Sequence, residues 1–428
     1  PSAALGWIVS QEKFMQGTTP YIQKLKLRAS YGLAGNDRFY NDDGSQKRFG
    51  YITTIESTEG YKWGNSNTFY EKGGLREGAP GAPDLTWEKV KKANIGLEMR
   101  LFNMLEFQVD FFHERREDIF MQRRNYPNSA GFPSLPWANY GIVTNKGFEV
   151  EVNLNKRINE DLAFSVRGNV TYAKNKIVEQ DEDLQVVGTY RSSTGKSVGT
   201  IFGLVSDGLY TEDDFADLST GQLKPGLPTP KFADRVYPGD IKYKDLNGDN
   251  EITETDKTAI GGTVNPELVY GFGANINWRG FDLGIFFQGN GRTYRVIGDG
   301  QKNFLPGSTL GAEGNIFKNA SDAWTIDNPS QDAFYPRLHM GYNAHNTQTS
   351  DWWLKDMSML RLKNLEIGYS FPSNLIKKAA MEYARVFLRG TNICHFSNFK
   401  LWDPELSTNN GLKYPIMSTY SIGLQVRF

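Results

Sequence analysis

Apolar residues recur at every second position over unusually long segments of this chain. Tyr420, Ile422, Leu424, Val426 and Phe428 alternate with Ser421, Gly423, Gln425 and Arg427 up to the last residue. Side chains two apart share a face of a strand, so this segment carries one apolar and one polar face. Phe148, Val150, Val152 and Leu154 repeat the pattern against Glu149, Glu151, Asn153 and Asn155, directly after Asn145-Lys146-Gly147, which reads as a turn. Leu25 to Leu33, Ile95 to Leu101, Leu268 to Trp278 and Leu365 to Phe371 are further copies. Shorter ones lie at 104–112, 162–172, 281–288 and 384–390, and weaker candidates bring the expectation to about a dozen strands.

The connections fall into two classes. Asn155 to Asp161 and Trp278-Arg279-Gly280-Phe281 read as tight hairpin turns. Residues 37–85, 124–140, 180–263, 292–351 and 396–414 are rich in Gly, Pro, Asn, Asp and aromatics, and exceed the loops of a compact soluble domain. Short turns at one end and long loops at the other is the asymmetry of an outer-membrane barrel. Short helices are expected within those loops, around 312–325 and at Ser373 to Lys378 after Pro372.

Composition sharpens this. The 428 residues include 27 Phe, 21 Tyr, 9 Trp and 44 Gly, which suits strands and turns better than a helical bundle. With 48 Lys+Arg against 49 Asp+Glu and no basic run, nucleic acid is excluded as the expected partner. The single Cys394 excludes an intramolecular disulfide framework and a cysteine-paired zinc or redox motif. No apolar run reaches the roughly 18 residues of a membrane helix. A barrel strand needs only about 9–11 residues with every second one apolar, which averages to a hydrophilic score. The mean hydropathy of -0.51 fits that pattern.

In hydrocarbon every backbone polar group needs an internal partner, so a closed sheet is the remaining way across. The polar face would line a hydrated lumen or contact a plug, and the apolar face would meet lipid. Tyr31, Tyr172, Trp278, Tyr369 and Phe371, at strand ends, would form the interfacial girdle. A soluble all-β protein is the competing reading, but its strands typically hold about 5–6 residues. Length favours the membrane.

No enzyme motif is present. His113, His339, His345 and His395 lack H-E-x-x-H spacing, and Cys394 and His395 would point to opposite faces of a strand. No catalytic residue or catalytic cofactor is assigned. The sharpest local motif runs from Asp245 to Asp256, where Asp245, Asn247, Asp249, Glu251 and Asp256 take positions 1, 3, 5, 7 and 12 of a calcium loop. Asn250 stands where Gly usually turns the chain and Asp256 where Glu is usual, so the expectation is a structural Ca2+ site, weighed against an acidic Asx-turn loop. Tyr61, Trp63, Trp137, Trp324, Trp352, Trp353 and Trp402 lie in or beside the long loops and are candidate substrate-stacking residues. Packing is the competing role for each.

Several strings resemble the SusC/RagA-like family of TonB-linked outer-membrane transporters of Bacteroidota. They are Ala4-Leu5-Gly6-Trp7 with Glu12-Lys13-Phe14, Leu25 to Asn36, Trp87-Glu88-Lys89-Val90 before Asn94 to Glu98, and Asp110-Phe111-Phe112 before Asp118-Ile119. Asn145 to Glu151, Asp356 to Leu365 and the closing Phe428 complete the series in the family's order. The resemblance runs essentially end to end. It implies an all-β, antiparallel transmembrane barrel, with residues 1–428 supplying about the last dozen of roughly 22 strands. It also implies that the plug domain, the TonB-contacting segment and the first strands precede this region. Because Pro1 opens the chain without an initiator Met or a signal-peptide profile, the expectation is a fragment or a mature piece.

What the resemblance implies for function is TonB-dependent import of a bulky nutrient across a Gram-negative outer membrane. The cargo would be an oligosaccharide first and a peptide second. A SusD-like surface lipoprotein would cap the mouth, and TonB would act from the periplasm. A secreted soluble β-rich carbohydrate-active enzyme and a passive porin are the alternatives the residues leave open.

Overall fold

The computed structural model describes residues 1–40, 44–46, 48–65, 68–298, 318–377 and 380–428. Its main strands are β1 (Ser2–Ile8), β2 (Ile22–Asn36), β3 (Ile55–Asn65), β4 (Thr68–Glu77), β5 (Glu88–Leu101), β6 (Leu105–Gln122), β7 (Trp137–Arg157) and β8 (Leu162–Glu179). β9 (Leu268–Trp278), β10 (Phe281–Gly291), β11 (Met359–Ser370), β12 (Tyr383–Ser397) and β13 (Thr419–Arg427) follow. β3 and β4 pair with each other, and the other eleven form one sheet in the order β1-β2-β5-β6-β7-β8-β9-β10-β11-β12-β13. Every neighbour in that order is next in sequence among the sheet strands. The fold is all-β, dominated by this one eleven-stranded sheet.

Contacts divide the chain into two compact units. The first comprises Pro1–Arg100, Gln108–Glu149 and Ala173–Val198. There β1 and β2 are antiparallel, with Ser2 opposite Gly32 and Ile8 opposite Lys26. Glu98 of β5 receives Lys24 at 2.7 Å and Lys26 at 3.2 Å from β2, and Arg28 reaches Asp110 of β6. The opposite face shows Ile95 and Phe111, 65% and 59% exposed. The first face is thus tied by ion pairs at this level, where the other presents bare hydrocarbon at Ile95 and Phe111.

The second unit comprises Leu101–Phe107, Val150–Tyr172 and Gly199–Phe428. Its ladder is regular. Leu268 pairs with Tyr172 on one side and Gly291 on the other, and Trp278 with Leu162 and Phe281. The expected turn between β9 and β10 consists of Arg279 and Gly280 alone, with φ of 48° and 87°. Two left-handed residues are what a two-residue hairpin of this twist requires.

Large apolar side chains stay uncovered along these strands. Phe272, Trp278, Ile367, Leu388, Ile422 and Leu424 are 41% or more exposed. The buried apolar cluster lies instead in connections, among Leu204, Ile241, Tyr243, Ile252, Ile297 and Tyr335. An extended sheet face of exposed Leu, Ile, Phe and Trp is unstable against water and suited to lipid.

Two expectations need correction. Asn145-Lys146-Gly147 is not a turn but the interior of β7, which runs on to Trp137. The connection 37–85 contains the β3–β4 hairpin. Of the expected helix at 312–325, residues 312–317 lie outside the described residues, and Lys318–Ser321 is a single 3-10 turn. Ser373–Ile376 is the expected helical turn; Lys378 lies outside the described residues.

Candidate functional site

In the second unit the loops fold onto each other. Gly203 and Phe202 pair with Thr258 and Ala259, Leu209 with Ile241, and Tyr294 with Asp356. Between them sit Trp324 and Trp353, 5% and 3% exposed, with Trp353 Nε1 donating to the Asn346 carbonyl at 2.7 Å. Trp352 packs on this core and donates to the Phe334 carbonyl at 3.2 Å. Trp402 packs edge-on against Phe399, ring centres 4.9 Å apart. Four candidate substrate aromatics are therefore brought together as the interior and flank of a loop core, a placement that serves packing.

The remaining three lie in the first unit. Trp137, at the start of β7, stacks on Phe120 at 5.3 Å. Tyr61 and Trp63 stand on the β3–β4 hairpin, 73% and 45% exposed, with Trp63 between Tyr61 and Tyr70 at 5.9 and 6.0 Å. Of the seven, this pair presents the most open ring surface.

The loop core also encloses polar groups that the sequence did not single out. Asp240 is wholly buried; its Oδ2 accepts from the Tyr237 amide at 2.9 Å, and its Oδ1 accepts from Asn346 Nδ2 at 2.8 Å and lies 2.5 Å from His339 Nε2. His345 Nε2 meets the Ile241 carbonyl at 2.7 Å, and burial pushes its pKa down. Asp240 and its side-chain partners His339 and Asn346 are 99 and 106 residues apart in sequence. No spacing motif could have announced them.

On the polar face of β8 to β12 a cavity of about 600 Å³ opens among Arg167, Asn275, Asn277, Asp282, Glu366 and Arg389. Arg385 bridges Asp282 and Glu366, and Arg389 meets Glu366 at 2.5 Å. Arg167 lies over the Phe286 ring at 4.9 Å. With both carboxylates engaged by arginines, the surface offers hydrogen bonds and charge to a polar solute rather than a paired acid and base.

The Asp245–Asp256 segment forms a tight acidic loop. Asp245 accepts from the amides of Gly248 and Asn250 at 2.6 and 2.8 Å, Asn247 from Asp249 at 2.9 Å, and Asp249 from Glu251 at 2.8 Å. Asn250 takes the left-handed turn at φ 62°. Buried Asp256 accepts from Leu246 and Thr253 with its two oxygens, at 2.9 and 2.8 Å, and the Glu251 side chain pairs with Lys231 at 2.8 Å. Among the described residues no group of three or more His, Cys, Asp or Glu is disposed to hold a metal. The loop's shape is secured by its own amides.

Comparison with known proteins places this geometry. TonB-dependent receptor P26 of Formosa agariphila is 29% identical over 451 residues, covering 100% of this chain and 42% of the relative. TonB-dependent receptor SusC of Bacteroides thetaiotaomicron is 24% identical over 439 residues, covering 100% and 40%. The chain thus spans about two fifths of the length of these relatives. The RagAB peptide importer in its open-open state matches with a TM-score of 0.69 at 22% identity, over 100% of this chain and 42% of that one. Its closed-closed state gives 0.67 at 23%, over 99% and 43%. That likeness bears on the fold. Residues 1–250 match the family model described as TonB dependent receptor-like, beta-barrel. The chain belongs to the TonB-dependent receptor β-barrel family and is a portion of an outer-membrane barrel of Gram-negative bacteria.

Proposed function

We propose that this chain supplies barrel wall and loops for TonB-dependent import of a bulky nutrient, an oligosaccharide first and a peptide second. The observation that carries the reading is alignment over the whole chain with TonB-dependent receptors, SusC among them. A polar face lined by Asn, Arg and paired carboxylates supports passage of a hydrated solute, without bond chemistry. TonB drives the import from the periplasm, and a SusD-like surface lipoprotein covers the mouth. The RagAB importer carries a peptide by its name, which keeps peptide as the second cargo.

Tyr61 and Trp63 are the aromatics we assign to cargo, because their exposure leaves ring surface to stack. Calcium at Asp245, Asn247, Asp249, Glu251 and Asp256 is carried as a structural proposal, supported by spacing and by the left-handed Asn250. The test is uptake of fluorescent oligosaccharides and peptides by cells with and without the receptor gene. Energy-dependent uptake of one class, lost on deletion, supports the reading. Equal uptake of both classes by the deletion strain contradicts it.

A further inference from the structure

A short ribbon in the loops of the second unit sets two cations side by side. Tyr294–Val296 and Leu354–Asp356 pair antiparallel, with Arg295 directly opposite Lys355. Side chains so placed leave on one face of the ribbon, where like charges oppose each other. The other face is packed inward: Val296 lies against the loop core, and a Cβ on Gly261 or Gly262 would strike Leu354 or Tyr294. Arg295 and Lys355 are both half-buried, and among the described residues neither forms an ion pair. Arg295 donates from Nη1 to Asn409 Oδ1 at 3.0 Å and from Nη2 to Ser407 Oγ at 2.6 Å. Lys355 Nζ donates to the Trp352 carbonyl at 2.9 Å and lies 5.5 Å from the centre of the Phe334 ring. Burial pulls the pKa of both below its ordinary value. The Asp351 charge opposes that shift for Lys355, but its carboxylate is spent on the Ser206 amide at 2.8 Å.

Arg361 shows what the same neighbourhood does with a cation it means to neutralise. The connection between β12 and β13 gives Arg361 the carboxylates of Asp403 and Glu405, yet gives Arg295 only a hydroxyl and an amide oxygen. Neutral acceptors orient a guanidinium without cancelling its charge, and they leave N–H groups of its fork to be used. Cations drawn partly out of water with no counter-charge favour an oxyanion, which a guanidinium can grip through two parallel bonds. A neutral sugar would occupy the donors and leave the charge standing. The ribbon and the 407–409 segment lie at the end of the sheet away from the Arg279-Gly280 turn, the long-loop end that cargo meets first. Given the oligosaccharide reading above, on which this inference rests, we propose that Arg295 and Lys355 bind the acidic groups, carboxylate or sulfate ester, of a charged oligosaccharide.

The test presents the full receptor in detergent with an array of neutral, uronate-bearing and sulfated oligosaccharides, with acidic peptides alongside, and then titrates whatever binds. The glycans bound should be acidic, and whether they carry uronate or sulfate identifies the oxyanion. Arg295→Gln and Lys355→Gln should each weaken them by about tenfold or more, the worth of a charge-assisted hydrogen bond. Arg295→Lys, which keeps the charge and loses the fork, should fall between wild type and Arg295→Gln. Lys224→Gln, at an exposed loop lysine, should bind as the wild type does. Limited proteolysis reports whether the loops stay folded; if Arg295→Gln loosens them, Lys355→Gln decides alone. Neutral glycans bound as tightly as acidic ones would overturn the inference and leave the oligosaccharide reading standing, as would acidic glycans that Lys355→Gln binds undiminished. Binding of peptides alone, or of nothing on the array, would overturn both.

Discussion

Gly239 approaches Trp324 so closely that a Cβ on the glycine would lie 2.2 Å from the indole, and its φ is 91°. Both the left-handed backbone and the missing side chain are required at this position. Gly239→Ala should destabilise the loop core by roughly 3 kcal/mol or more, backbone strain and overpacking together. Gly226→Ala is the control, with φ 93° and nothing within 4 Å of the added carbon. Tryptophan emission and limited proteolysis should show Gly239→Ala clearly worse than Gly226→Ala; equal effects would mean that the Trp324 contact is unimportant.

Arg361, 2% exposed at the start of β11, holds Asp403 at 2.5 Å and Glu405 at 2.9 Å. It tethers the 398–418 connection to the sheet. Removing one partner of a buried pair costs roughly 3–5 kcal/mol. Asp403→Asn should therefore expose the connection to protease at temperatures where the wild type resists. Unchanged cleavage would show that the pair carries little.

Burial alone would raise the Glu182 pKa, but hydrogen bonds from Ser192, Ser193 and Thr194 outweigh it and hold the carboxyl at about 2. A folded pKa below the ordinary 4.5 stabilises above that value, and the contribution drains away as pH falls from about 4.5 toward 2. Hydrogen exchange over 181–198 should be flat from pH 7 to 5 after correction for intrinsic rates, then accelerate below about 4. In Glu182→Gln the segment should exchange faster already at pH 7 and lose that acid step. An unchanged acid step in the variant would assign it elsewhere.

For the acidic loop, calcium should raise the unfolding temperature of the wild type, and Asp249→Asn should remove that increment while leaving the metal-free protein little changed. A calcium-independent wild type would leave the loop to its amides, which already account for its shape.

The strand faces were legible because lipid on one side and water on the other write a period of two into the sequence. β9 falls at Leu268–Trp278, as read. Legibility stopped where both faces meet water. β6 runs to Gln122 and β7 back to Trp137, through residues such as Glu114, Arg116 and Asn145 that carry no apolar alternation. The loop core was invisible for another reason. Leu204, Ile241, Trp324 and Tyr335 come from segments far apart, none long enough to show a period, so Trp324 and Trp353 read as loop aromatics although they are interior.

The apolar faces of this sheet meet lipid. The most direct measurement is folding of the full receptor with and without detergent, read by gel mobility before and after boiling. A sheet that faces lipid should give a compact band that forms only with detergent and shifts on boiling. A monomer that folds in plain buffer would contradict it.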